Sequence, residues 1–170
     1  MYKWVLILII SSCSLNSANK PETKIEIASK HLKNDDNAYE QFLLLGKCKC
    51  YDKHSKDENN GRLKFDDAVA RLAFGNSALV QVLSIDNMHG VLLHYLDSTY
   101  AVKKSKFLYK REAGTFEYST EVMCEEIFQK NLSTRKLFEN YLSNGKNYVN
   151  QSALNSFLNN LKSYKSKEDW

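Results

Sequence analysis

One stripe of residues constrains this chain more than any other. Met88, Val91, Leu92, Tyr95, Leu96, Thr99 and Tyr100 recur at the three- and four-residue spacing of one helix face. Ser84 stands before them as an N-cap, whose hydroxyl can accept an orphan backbone N–H. The middle of the chain is therefore committed to a long amphipathic helix. Glycine and proline are scarce, 6 and 1 of 170 residues, so the chain lacks the turn punctuation of a sandwich or barrel. With 43% hydrophobic residues it can bury a core as one domain. Lys and Arg number 24 against 20 Asp and Glu, a net +4 with both signs interspersed, and no single-sign stripe marks a nucleic-acid footprint.

The remaining apolar patterns predict an all-α fold, a compact bundle of about five to seven short amphipathic helices. Asp36 can cap a helix carrying Tyr39, Phe42, Leu43, Gly46 and Cys50 on one face. Phe65, Ala68, Val69 and Leu72 form the next, ended by Gly75-Asn76 in the manner of a C-cap. Leu79, Val82 and Leu83 mark a brief segment, and Val102 to Tyr118 reads as a basic, aromatic connection or a short hairpin. Thr120, Met123, Cys124, Ile127 and Phe128 share a face, then Leu137, Phe138, Tyr141 and Leu142, and last Ala153, Leu154, Phe157, Leu158 and Leu161. The division is a signal peptide at 1–12, a polar tether at 13–35 and one helical domain at 36–165.

The signal rests on Lys3, the apolar run Trp4 to Ile10, and the small residues before Cys13. That run is far too short to cross a membrane as a helix. Ile10-Ser11-Ser12-Cys13 resembles the lipobox of bacterial lipoproteins, in which the cysteine sulfur receives a diacylglycerol and becomes the N-terminus. The resemblance implies a lipid-anchored, periplasmic protein, and Ser14 after the cysteine favours the outer membrane over the inner.

An exported chain pairs its cysteines in an oxidising space. Cys50 and Cys124 each fall in the apolar phase of a helix, which suggests a disulfide between them worth on the order of 4 kcal/mol in the chain-entropy account. Cys48 is the alternative partner of Cys124. No metal site is expected, because Cys48 and Cys50 have one residue between them and no second close pair of Cys or His completes a tetrahedral set. No cofactor motif is present: there is no Gly-rich phosphate loop, Gly-x-Ser-x-Gly or His-Glu-x-x-His. The only nucleophile and base on offer are Cys48 with His54, His89 or His94.

Three segments, Leu43-Leu44-Leu45-Gly46-Lys47-Cys48-Lys49-Cys50, Ala68 to Gly75, and Val122-Met123-Cys124-Glu125-Glu126-Ile127-Phe128, resemble the immunity proteins that protect bacteria from type VI secretion amidase effectors. The similarity runs from about Tyr39 to Leu142; the family's later motif, closer to Met-Lys-Cys-Ile-Asp, has one residue more than Met123-Cys124. It implies a non-enzymatic inhibitor, often a homodimer, that occupies the cleft of a peptidoglycan amidase toxin. The composition of Lys106, Phe107, Tyr109, Lys110, Arg111 and Glu112 suits the contact with such a protein partner, joining cationic and aromatic groups of the kind enriched at interface hot spots. A lipoprotein with a structural or binding role in the envelope is the alternative.

Lipid attachment is directly measurable. Protein purified from its own membranes should begin at Cys13 and carry acyl mass; a soluble product beginning several residues later contradicts the reading.

Overall fold

In a computed structural model of the chain, the residues described are 22–54, 63–103, 108–110 and 116–168, with backbone alone for 108–110, 116–118 and 164–168. The fold is all-α with one small hairpin. Its elements are α1 (Lys24–Lys33), α2 (Asp36–His54), α3 (Phe65–Phe74), α4 (Ala78–Val82), α5 (Ile85–Lys103), β1 (Leu108–Lys110), β2 (Phe116–Tyr118), α6 (Thr120–Ile127), α7 (Leu132–Ser143), a 3-10 turn (Gly145–Asn147) and α8 (Gln151–Glu168). The signal segment with Cys13 lies outside the described residues.

α2 is the axis. Tyr39, Phe42, Leu43, Gly46 and Cys50 are buried along the expected face, but so are Ala38, Leu45 and Cys48 on others. The helix touches α1, α3, α4, α5, α6 and α7. A helix enclosed in this way needs apolar residues around most of its circumference. Phe42 meets Phe138 and Tyr141 with ring centroids 5.2 and 6.0 Å apart, which brings α7 onto it. Met88, Leu92 and Leu96 of the α5 stripe are fully buried.

α6 comes close to the α2 backbone. A Cβ on Gly46 would stand inside the ring of Phe128, 2.8 Å from its Cγ, so only glycine lets that ring lie on the α2 backbone. Phe128, itself fully buried, also meets Tyr95 of α5 at 5.7 Å. Gly46 therefore trades about 1 kcal/mol of helix propensity for packing three elements together.

Two boundaries differ from the sequence reading. α1 lies in the segment read as tether, and brings the number of helices among the described residues to eight. Its start is fixed by a capping box in which the Thr23 hydroxyl accepts from Glu26 N–H while the Glu26 carboxylate accepts from Thr23 N–H. Ala28 and Leu32 are its buried residues, and with α8 and α4 it forms a second cluster around Val82, Leu154 and Leu158. The folded body thus begins well before residue 36. The cap of α2 is Asp35 instead of Asp36: its Oδ1 accepts from Asn37 N–H at 2.9 Å and Ala38 N–H at 3.2 Å. At the end of α3 Gly75 and Asn76 form the expected C-cap, with Asn76 as the left-handed residue at φ 55°. Ser77 N–H returns to Leu72 O and Asn76 N–H to Ala73 O, the paired bonds of a Schellman motif.

Gly46→Ala should destabilise the protein by about 1–3 kcal/mol despite its better helix propensity, because overpacking displaces Phe128. In a Phe128→Leu background the same change should cost less. Denaturant unfolding of the four proteins in this cycle measures the difference; equal costs in both backgrounds would mean that Phe128 is not the obstacle.

Candidate functional site

The basic, aromatic connection is a hairpin. β1 and β2 pair antiparallel with Leu108 opposite Tyr118, Tyr109 opposite Glu117 and Lys110 opposite Phe116. Of the residues assigned to partner contact, Tyr109 and Lys110 lie on β1; Lys106, Phe107, Arg111 and Glu112 lie outside the described residues. The hairpin leaves the C-terminal end of α5 and returns into the N-terminus of α6, where the Ser119 hydroxyl accepts from Val122 N–H.

α6 is held against α2 by the Cys50–Cys124 disulfide, with Cα atoms 5.5 Å apart. Both cysteines are fully buried, as their helical phase required. One turn along, the Glu125 carboxylate accepts from the Lys47 ammonium and, at 3.1 Å, from the Tyr51 hydroxyl. Glu125 is thus a cross-brace between α6 and α2. Farther along, the Lys53 ammonium pairs with the Asp97 carboxylate, joining the end of α2 to α5. The Thr120 hydroxyl donates to the His54 carbonyl at 3.4 Å. α5, nearly two turns before its end, and the start of α6 are therefore both fastened to the last turns of α2.

Cys48 is free and buried. Burial, reinforced by the Asp52 carboxylate, pushes its thiol up to about 11, so it stays protonated near neutral pH and is a poor nucleophile. The imidazoles are dispersed. His89 packs on Phe65 with ring centroids 5.4 Å apart, His54 on Tyr100 at 5.0 Å, and His31 edge-on to Phe157 at 5.8 Å, while His94 is exposed on α5. Among the described residues no group of His, Cys, Asp and Glu is arranged to hold a metal ion. No helix of the described residues is long and apolar enough to cross a membrane.

A separate shallow groove of about 500 Å³ lies where the α4–α5 corner meets the strand-like segment before α8. Leu83 and Tyr148 form an isolated antiparallel bridge at its floor, and Asp86 and Lys146 are among its lining residues. The Ser84 carbonyl beside it already accepts from the Tyr141 hydroxyl.

Two positioning residues escaped the sequence reading. Asp52 accepts from Phe65 N–H at 2.9 Å and so caps α3 from the last turns of α2. His54 marks the junction of α2, α5 and α6. Neither has a local signal, because each acts on a residue distant in sequence.

In oxidised, folded protein at mildly alkaline pH, Cys48 should react with a maleimide only slowly, and should label fully in denaturant. Peptide mapping of the labelled site checks this; fast native labelling at Cys48 would mean that the thiol is exposed or ionised. Comparison of the chain with protein-family models, with curated proteins and with solved structures finds no match.

Proposed function

We propose that the protein acts by binding: it is a lipid-anchored periplasmic inhibitor that occupies the cleft of a peptidoglycan amidase toxin delivered by type VI secretion, and performs no chemistry of its own. The observation that carries this reading is the hairpin between α5 and α6, two helices that are fixed to α2 by a disulfide, ion pairs and hydrogen bonds. A binding segment presented from a rigid body loses little conformational freedom on association, which favours tight inhibition. The residues from Val102 to Tyr118 include five Lys or Arg against two Glu, together with two Phe and two Tyr. That composition suits an acidic cleft with an apolar floor. The buried disulfide suits an oxidising compartment, and the likeness of the segments around Cys50, Ala68 and Cys124 to amidase immunity proteins supplies the class of target.

Titration of a cell-wall amidase effector, taken from the neighbouring reading frame where that frame encodes one, tests the proposal. Hydrolysis of peptidoglycan should fall to near zero at about one equivalent of the oxidised protein. The double variant Lys110→Glu/Arg111→Glu should inhibit about 30-fold less strongly, the equivalent of about 2 kcal/mol, with its melting temperature nearly unchanged. Full amidase activity in the presence of excess protein would instead favour an envelope lipoprotein with a structural role. Unchanged inhibition by the double variant would move the contact off the hairpin.

A further inference from the structure

The end of α2 carries a second device. Nε2 of His54 is enclosed and has no hydrogen-bond partner among the described residues, although the residue as a whole is only half-buried. Its ring lies against Tyr100 in the last turns of α5, and its carbonyl accepts from Thr120 at the start of α6. We propose that His54 is an acid-sensitive latch: the neutral imidazole seats the last turn of α2 between the two roots of the hairpin, and a proton on that ring loosens the junction.

The physical reason is that the site accepts a neutral ring and not a cation. An imidazolium would have a donor at both nitrogens, and Nε2 faces no acceptor among the described residues. The charged groups around it do not reverse this. Lys53, its neighbour on α2, opposes a second positive charge; Asp97 on α5 would favour one, but its carboxylate already holds the Lys53 ammonium; Tyr100 of α5 and Thr120 of α6 contribute neutral groups. Burial and Lys53 together outweigh Asp97 and hold the imidazole below its ordinary value.

The sign follows from linkage. A histidine whose folded pKa is depressed binds fewer protons in the native state than in the unfolded chain. Its contribution to stability is complete above the ordinary imidazole value of about 6.5 and is lost as the pH falls through the lower native one. The groups nearest to the disturbance are the ends of α5 and α6, on which the hairpin stands.

The test uses the full oxidised chain and no partner, so its outcome is independent of the proposed inhibition. Ring resonances of carbon-labelled histidine should show His54 titrating below about 6.5. Amide-exchange protection in residues 96–103 and 120–124 should fall by up to about tenfold for each pH unit between about 6.5 and the native titration, and level off below it, while the centre of α7 keeps its protection. In His54→Gln the acid-dependent loss in those two segments should disappear. Titration of His54 at or above the ordinary value, or the same acid-dependent loss in His54→Gln, would overturn the latch. If the variant fails to fold, the ring titration and the exchange profile of the wild type still decide.

Discussion

The contact on which the rest of this structure depends is the seating of Phe128 on the bare backbone of Gly46. α6 is a short helix, and isolated helices of that length do not hold together in water. It persists because Phe128 and Cys124 reach α2 at two points, the ring at Gly46 and the sulfur at Cys50. The two anchors are complementary. The disulfide spans 74 residues of chain and removes about 4 kcal/mol of denatured-state entropy in the loop-closure account, but it fixes little of the orientation of α6. The ring in its slot, and the Glu125 brace to Lys47 and Tyr51, supply the orientation.

The N-terminal end of α2 is secured by polar chemistry around one arginine. The Arg135 guanidinium of α7 lies 4.7 Å from the Tyr39 ring centroid and donates to the Lys33 carbonyl at the end of α1 at 2.6 Å. It also pairs with Asp36 and Glu139. Beneath it the Tyr39 hydroxyl meets the buried Thr134 hydroxyl at 2.7 Å, and Asn131 caps α7 through the N–H groups of Ser133 and Thr134. Exposed ion pairs contribute little singly, yet a guanidinium that stacks on an aromatic ring and satisfies an orphan helix carbonyl acts through geometry as well as charge.

How much of this was legible in the sequence depends on whether an element shows one face or several. α5, α6, α7 and α8 each bury one stripe, and the periodicities of Met88, Met123, Phe138 and Leu154 place them. The phase of Cys50 and Cys124 likewise selects their pairing over Cys48, even though Cys48 is also buried. On α2 the second and third buried faces are invisible to a search for a single stripe. α1 buries only Ala28 and Leu32, too few for a pattern, and its legible signal is the Thr23-x-x-Glu26 capping box. The strands of the hairpin are three residues each, shorter than the alternation that identifies a strand. The positioning roles of Asp52 and His54 were not legible, since their partners Phe65, Tyr100 and Thr120 become neighbours only after folding.

A two-stranded hairpin with strands this short has no independent stability in water. Its backbone pairing must therefore be supported at its two ends, by α5 before it and α6 after it. Both of those helices are tied to one turn of α2, α5 through Asp97 to Lys53 and α6 through Thr120 to His54. The geometry of the hairpin is thus set by the same helix that forms the core. A change at the end of α2 reaches the hairpin through α5 and α6, the two elements on which it stands, whereas the α1–α8 cluster meets the rest of the fold through α2, α4 and α7.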